Sequence, residues 1–440
     1  MWRRELETMS IPVCRRAAAR LEGKRILLLA GGSPWPATTG GYQRTNLLYR
    51  ALAEHSTVDT FIVSNHVNPS REERERLYDE YGFVGIVRPT SLHGRRPWRM
   101  LTRFVPADRV DFAAHAFCGW TEDYRADPTV AASVGALLRR THYDLIVSRY
   151  LRPLIQAGSM PGIAKIVDVD DFDSEVLELL LPRLKGKWTK RWSLKRRLWT
   201  ARRTESHLGN ICDHCWVTKE PDLPRVGAMS ASVLPNIPFV YGKNGYRPVR
   251  DDSNRNKSIA FVGSMLHGEN IQGVDAFVRD CWPIIRREVP DADFRIYGTG
   301  LGEPLRNRWV AYKGVKVVGF VNDLDQVYER AALVVVPLFG GGGTKVKVLE
   351  ALMKGRTCVV AQPSLRGYES VLHHQESLWT ASNHSELIRG CIFLLKRPDI
   401  RKRLARAGRE RVMRHYTFTR FAHVVGTDVA RILDVSAQDF

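Results

Sequence analysis

The strongest chemical signal in the sequence is a run of four glycines, 340–343, between an apolar segment and an amphipathic one. Glycine lets a backbone approach a ligand closely, and the unpaired N–H groups at the start of a helix attract anions. Lys345 and Lys347 add positive charge beside the run. Glu350 follows Lys347 by three residues, where a carboxylate can accept hydrogen bonds from paired hydroxyls. The pattern predicts a diphosphate site beside a ribose site, and a flexible turn before a surface helix is the alternative.

A second candidate site is the acidic cluster 168–173, which follows an apolar run. Carboxylates suit hard metal ions such as Mn²⁺, but this cluster is far in sequence from the glycine run. We therefore expect Asp170 or Asp171 to orient or deprotonate a substrate hydroxyl, and we predict no metal site and no cofactor. Capping of the next helix by Asp173 or Ser174 is the alternative.

Two series of alternating strands and helices must position these groups. Short apolar runs that end in glycine-rich or polar turns indicate strands, listed here by number: 25–30, 58–63, 143–148, 164–169, 215–218, 258–263, 293–298, 315–320, 333–337 and 357–361. Gly40 and Gly41 lie in the first strand-to-helix loop, where a tight turn is the alternative to a ligand contact. Arg44 on the next helix is expected to reach the cleft. A helix over 275–287 is expected to kink at Pro283.

The alternation predicts an α/β protein with two Rossmann-like, doubly wound domains that face each other across a cleft. A chain of 440 residues is long enough for two such domains. We place the first at 1–240, a linker at 241–257 and the second at 258–415. A final helix, 416–440, is expected to cross back to the first domain.

The second half resembles the donor domain of the group 1 glycosyltransferase family, which has the GT-B fold and is typically retaining and metal-independent. The matching segments are Phe261-Val-Gly263 with Asn270, 296–300, 318–323 and 337–360. The resemblance covers 256–415 and, more loosely, the first half. It implies that Lys347 assists at the diphosphate and that Glu350 holds the ribose. The implied donor-binding set is Gly40, Gly41, Gly263, Gly298, Gly300, Gly319, Phe320, Gly341, Gly342, Gly343, Thr344, Lys345, Lys347 and Glu350.

Three positions depart from the family pattern. Gly342 stands where many relatives carry a glutamate that contacts the donor sugar, and Ser264 stands where an arginine is expected. The stretch 268–270 lacks a lysine that relatives have. We therefore expect Lys345 and Lys347 to neutralise the phosphates, and a catalytically inactive relative remains an alternative.

The net charge of +20 should attract polyanions such as nucleic acid, anionic lipid or phosphorylated substrates. Segment 185–203 places Trp188, Trp192 and Trp199 on one helical stripe among basic residues, and 95–103 has a similar composition. Such a segment suits an anionic membrane surface, although a helix packed on the first domain explains it equally well.

The sequence predicts a glycosyltransferase of the hexosyltransferase type. It would move a sugar from a nucleotide-diphosphate sugar to a polysaccharide or lipid-linked saccharide. A sugar-nucleotide 2-epimerase and a nucleic-acid-binding relative are the rivals, although no nucleic-acid-binding motif is present. With no secretory signal pattern and no apolar run of about 20 residues, we expect a cytoplasmic location, including the inner face of the plasma membrane. Cys212 and Cys215 are interpreted as ordinary thiols, and His115 as a partly buried side chain.

Overall fold

The structure is a computed structural model that describes residues 21–37, 39–90, 124–184, 188–227, 229–239, 248 and 257–438. The chain divides into two compact units. One comprises Met1–Pro235 and Phe418–Phe440, and the other comprises Asn236–Thr417. The predictions for His115, for 95–103 and for nearly all of the linker 241–257 fall outside the described residues.

The first unit is built on a parallel sheet. Its described strands are β1 (Arg25–Ala30), β2 (Thr57–Val63), β3 (Phe83–Val87), β4 (Leu145–Arg149), β5 (Ala164–Asp170), β6 (His214–Val217) and β7 (Ala231–Val233). Their order is β3-β2-β1-β4-β5-β6-β7. The central strands are buried along their length, as expected for a sheet with helices on both faces.

Helices connect the described strands of this unit. They are α1 (Gly40–Ala53), α2 (Arg71–Tyr81), α3 (Pro128–Arg140), α4 (Leu151–Ala157), α5 (Asp173–Leu180) and α6 (Trp188–Glu205). Ser70 and Glu73 form a capping box at the start of α2, and Asp127 caps α3 just before Pro128.

The second unit repeats the same architecture. Its described strands are β8 (Ser258–Val262), β9 (Asp293–Tyr297), β10 (Val315–Gly319), β11 (Leu333–Val336), β12 (Cys358–Ala361) and β13 (Trp379–Ala381), in the order β10-β9-β8-β11-β12-β13. Its helices are α7 (Gly268–Ala276), α8 (Trp282–Glu288), α9 (Glu303–Val310), α10 (Leu324–Arg330), α11 (Val346–Met353), α12 (His384–Lys396) and α13 (Pro398–His415).

The last helix, α14 (Phe418–Gln438), belongs to the first unit. The indole Nε1 of Trp216 on β6 donates to Asp428 Oδ2 over 2.9 Å, and the Arg44 guanidinium lies 5.6 Å from the centre of the Phe421 ring. The predicted fold class, with two doubly wound sheets and a final helix that returns to the first, is therefore confirmed. No helix in the described part of the chain is long and apolar enough to span a membrane.

Candidate functional site

The glycine run connects the buried strand β11 to helix α11. Gly341 and Gly343 adopt positive φ angles of 101° and 72°, which glycine tolerates and other residues rarely adopt. A Cβ atom at Gly341 would also lie 1.4 Å from the carboxylate oxygen Oε2 of Glu269. Thr344 Oγ1 at the end of the run accepts a hydrogen bond of 2.8 Å from Asn236 Nδ2. The loop therefore leads into the positive, N-terminal end of α11. Its glycines have no side chains that would cover the loop backbone.

Lys347, in the first turn of α11, has a fixed position. Its Nζ donates to Asn270 Oδ1 over 2.9 Å and lies 4.5 Å from the centre of the Phe261 ring. Gly263 provides the necessary space, because a Cβ atom there would lie 2.5 Å from Nζ. Burial, with a smaller contribution from Lys345, lowers the pKa of Lys347 to about 7, although Glu350 acts in the opposite direction. A bound diphosphate would favour its charged form.

Glu350 follows on the same helix face. Burial raises the pKa of its carboxyl group to about 7, and the charge of Lys347 opposes this shift. Among the described residues, no side chain or backbone N–H donates a hydrogen bond to this carboxyl group. Glu350 therefore has the capacity to accept hydrogen bonds from the hydroxyls of a ligand, as the prediction requires.

Lys345 is already paired in this structure. Its Nζ lies 3.1 Å from Glu269 Oε2 and donates to the carbonyl oxygen of Gly342 over 2.7 Å. Its side chain is only 8% exposed. The pair ties the glycine loop to the first turn of α7. The two acceptors leave one N–H of the Lys345 ammonium group for a phosphate, and that role stays a prediction.

The loops that carry the predicted donor-binding residues Gly263, Gly298 and Gly319 lie together at the carboxyl ends of β8, β9 and β10. Gly263 N–H donates to Tyr297 O, and Gly298 N–H donates to Gly319 O, both over 2.9 Å. A Cβ atom at Gly298 would lie 1.9 Å from the carbonyl oxygen of Gly263, so the close approach of these loops requires glycine. Gly300 and Gly319 both have φ angles of 88°, and the next residue, Phe320, is 69% exposed.

In the first unit, three acidic residues of the cluster 168–173 bind arginines. Arg44 Nη2 lies 2.6 Å from Asp168 Oδ1, and both side chains are almost completely buried. Arg149 Nη2 donates to Asp170 Oδ2 over 2.7 Å. Arg44 was expected to reach the cleft, but its guanidinium is buried within the first unit and pairs with Asp168.

Asp171 and Asp173 are the acidic residues of this cluster that line a cavity of about 380 Å³, together with Tyr150 and Arg152. Burial and the charge of Asp170 raise the pKa of Asp171 to about 6, against the opposing effect of Lys219, whose Nζ lies 3.5 Å away. Asp171 can therefore exchange a proton with a hydroxyl near neutral pH.

The helix-capping alternative for this cluster was wrong. The residue before α5 is Phe172, whose side chain makes no capping hydrogen bond, and Glu205 Oε1 instead accepts from the Ser174 N–H over 2.9 Å. Asp173 is the first helical residue, and its carboxylate accepts from Arg152 Nε over 3.0 Å.

Gly40 and Gly41 are the first two residues of α1, with Thr39 as the helix cap. A Cβ atom at Gly41 would lie 2.8 Å from the Tyr150 hydroxyl oxygen, whereas one at Gly40 would meet nothing. Cys212 and Cys215 are buried, and burial raises the pKa of both thiols. No group of three or more His, Cys, Asp or Glu side chains within the described ranges is placed to hold a metal ion.

Helix α6 packs on α5 through Leu194, Leu198 and Ala201, which are buried with Leu177. The tryptophans lie elsewhere on its surface: Trp188 is 73% exposed, Trp192 38% and Trp199 53%. Its exposed basic residues are Lys190, Arg191, Lys195, Arg202 and Arg203. The helix is thus packed on the first unit and also presents an aromatic, basic surface to solvent.

Several solved structures share this fold. Sucrose-phosphate synthase from Thermosynechococcus elongatus superposes with a TM-score of 0.62 at 14% identity, over 94% of this chain and 100% of that one. HepE of Anabaena, solved with UDP-glucose, superposes with a TM-score of 0.62 at 13% identity, over 92% of this chain and 99% of that one. WaaG, a glycosyltransferase involved in lipopolysaccharide biosynthesis, superposes with a TM-score of 0.57 at 13% identity, over 92% of this chain and 99% of that one. The chain therefore has the GT-B fold.

The family follows from the sequence of the second unit. Residues 256–397 match the family model for the group 1 glycosyl transferases, and the second unit belongs to that family. A protein from the cps region of Klebsiella pneumoniae is 26% identical over 135 residues, which are 29% of this chain. The match spans about a third of that relative. The predicted family and enzyme class are confirmed, and the individual site residues stay predictions.

Proposed function

We propose that the chain transfers a sugar from a nucleotide-diphosphate sugar to a saccharide or lipid-linked saccharide acceptor. One observation carries this proposal. Lys347 is held by Asn270 at the end of a glycine loop, with the unengaged carboxyl of Glu350 one turn further along α11. The helix start and the lysine suit a diphosphate, and the carboxyl group suits the ribose hydroxyls.

In the proposed reaction, the bond between the sugar C1 and the diphosphate oxygen breaks, and the nucleoside diphosphate leaves with the electron pair. Lys347 and the positive end of α11 stabilise the charge that develops on the leaving group. An acceptor hydroxyl oxygen bonds to C1, and Asp171 orients this hydroxyl and takes its proton. Because the chain itself supplies positive charge at the diphosphate, we propose a metal-independent transfer. We also propose, from the family resemblance alone, that the configuration at C1 is retained, which requires the acceptor to attack C1 from the face that the diphosphate leaves.

The relatives support particular donors and acceptors. HepE was solved with UDP and with UDP-glucose, which makes uridine nucleotides the first donors to examine. WaaG acts in lipopolysaccharide biosynthesis, and the Klebsiella relative is encoded in a cps region. These support a cell-surface polysaccharide or its lipid-linked precursor as acceptor. The exposed tryptophans and basic residues of α6 support contact with an anionic membrane that carries such an acceptor.

Nucleotide binding by the purified protein tests the donor site. We would measure the shift in thermal midpoint with UDP, GDP, ADP, dTDP and CMP, each with and without Mn²⁺. Stabilisation by one nucleoside diphosphate without metal is expected, and Lys347→Ala and Glu350→Ala should each abolish most of it. Lys396→Ala is the matched control, because Lys396 is an exposed lysine of the same unit that pairs with Glu288.

Two results would contradict the proposal. The donor site as described is wrong if no nucleotide stabilises the protein, and tight RNA binding would then favour the nucleic-acid-binding alternative. Strict dependence on Mn²⁺ would overturn metal-independent transfer alone. With the preferred nucleotide sugar, conversion to its 2-epimer without an acceptor would instead identify an epimerase. NMR of a transfer product would show whether the configuration at C1 is retained.

A further inference from the structure

Glu269 brings a carboxylate to the glycine loop from a different helix. It lies in the first turn of α7, and its Oε2 lies 3.1 Å from Lys345 Nζ. The same oxygen occupies the place that a side chain at Gly341 would fill, 1.4 Å from the Cβ position. The loop residues 340–345 include no acidic residue of their own. Glu269 therefore gives this loop a carboxylate that its own sequence lacks.

This carboxylate retains capacity for a ligand. Its side chain is 29% exposed, and within the described residues its contacts with Lys345 involve only Oε2. Lys345 also balances its negative charge, so Glu269 can lie beside a bound diphosphate without strong repulsion. Oε1 thus remains able to accept hydrogen bonds.

The chemistry of a carboxylate restricts what Glu269 can bind. An ionised carboxylate only accepts hydrogen bonds, and so does a fully ionised diphosphate. The two groups cannot bond to each other directly. The group that complements Glu269 must carry hydrogen-bond donors and must lie next to the diphosphate, which is the description of the hydroxyl-rich sugar of a nucleotide sugar.

We infer that Glu269 binds hydroxyl groups of the donor sugar and determines which sugar the second unit accepts. The inference rests on the proposed function, because it requires a nucleotide sugar in the glycine loop. It also explains how a loop with Gly342, which has no side chain to contact a sugar, can still recognise one.

The test distinguishes the contribution of the sugar to binding affinity from that of the nucleotide. Calorimetric titrations would measure the affinities of the wild type and of Glu269→Gln for UDP, UDP-glucose and UDP-galactose. UDP has no sugar beyond its ribose, and the other two ligands differ only in the sugar they carry. We expect the affinity for UDP to change by less than about twofold, and the affinity for the preferred nucleotide sugar to fall by about tenfold or more. Discrimination between the glucose and galactose donors should shrink. Glu269→Asp, which keeps the charge but shortens the reach, should behave similarly.

Lys345→Gln distinguishes direct sugar contact from a purely structural ion pair. This variant breaks the pair with Glu269 but leaves the carboxylate in place. If Glu269→Gln and Lys345→Gln both weaken UDP and the UDP-sugars in parallel, Glu269 only holds the loop and the inference is overturned. If the wild type binds none of the nucleotides, the proposed function fails as well. A thermal midpoint within the wild-type range confirms that each variant is folded.

Discussion

Lys347 and Glu350 change protonation in the same pH range, because burial disfavours the charged form of each group. The pKa of Lys347 is lowered to about 7, and that of Glu350 is raised to about 7. Above this pH Lys347 loses its proton in the free protein, and below it Glu350 gains one. A nucleotide sugar requires the opposite forms, a charged lysine for its diphosphate and an ionised carboxylate for its ribose.

We therefore predict that affinity for a nucleotide sugar is greatest near neutral pH and falls on both sides. Above about pH 7, binding must return a proton to Lys347, and affinity should fall by up to tenfold per pH unit. Below about pH 7, binding must remove a proton from Glu350. Titrations in buffers of different ionisation enthalpy would measure proton uptake at alkaline pH and proton release at acid pH.

Two variants show which group causes the fall in affinity on the alkaline side (the alkaline limb) and on the acid side (the acid limb) of this pH profile. Lys347→Gln should weaken binding and flatten only the alkaline limb, while Glu350→Gln should flatten only the acid limb. A profile that is unchanged in both variants would show that neither group titrates on binding. The nucleotide sugar is preferable to a free diphosphate here, because its diphosphate has no proton to lose near neutral pH.

At the residue scale, the sequence predicted the groups that share one local segment and missed their distant partners. Lys347 and Glu350 were identifiable because a helix places residues three apart on one face. Asn270 and Glu269, which hold Lys347 and Lys345, lie 77 and 76 residues away from them along the chain. Only the fold brings them together. Arg44 was misjudged for the same reason, because Asp168 lies 124 residues further along.

At the scale of elements, apolar runs located the central strands correctly, while polar or short elements were harder to delimit. The predicted helix over 275–287 instead begins at Gly268, and a π turn over Phe277–Cys281 separates α7 from α8. The irregularity thus precedes Trp282 and Pro283 rather than starting at the proline. Hydrophobic periodicity did not reveal this start, because the first turn of α7 carries Glu269 and Asn270, which serve the loop.

Helix α6 illustrates how one element can have two surfaces. Leu194, Leu198 and Ala201 anchor it to the first unit, and its three tryptophans lie outside this cluster and are partly or largely exposed. We predict that Gln substitutions at Lys190, Arg191 and Lys195 weaken binding to phosphatidylglycerol-containing vesicles by about 1 kcal/mol each, or roughly a hundredfold together. Binding to pure phosphatidylcholine should be weak throughout. Vesicle sedimentation would measure both.

The matched control removes the same number of exposed positive charges from α13, through Gln substitutions at Arg403, Arg406 and Arg414. This control should bind the anionic vesicles as well as the wild type. Equal losses in both triple variants would mean that the net charge of +20, and no particular helix, attracts the protein to anionic surfaces. Trp188→Ala should then have no effect, whereas an interfacial α6 requires that it weaken binding.

At the scale of the whole molecule, the first unit is made from two separate stretches of chain. The chain leaves it at Pro235, forms the second unit, and returns with α14. The sequence predicted this return only by resemblance, because the contact of Asp428 with Trp216 spans 212 residues. No local pattern identifies such a partner.

Asp428 fixes the returning helix with several hydrogen bonds. Burial opposes its ionisation, but hydrogen bonds from His214, Ser232 and Trp216 outweigh burial and lower its pKa. We predict that Asp428→Ala destabilises the first unit by about 2–3 kcal/mol, because it leaves buried donors such as the Trp216 Nε1–H without an acceptor. Hydrogen exchange should become faster in α14, β6 and β7, and remain unchanged in β8–β12.

The same variant tests whether the donor site belongs to the second unit alone. Lys347, Asn270, Glu269 and Glu350 all lie within Asn236–Thr417, so Asp428→Ala should bind a nucleoside diphosphate with wild-type affinity. Asp434→Ala, at an exposed position of the same helix, controls for the loss of a carboxylate from α14. Reduced nucleotide affinity in Asp428→Ala but not in Asp434→Ala would mean that the first unit and its returning helix contribute to donor binding.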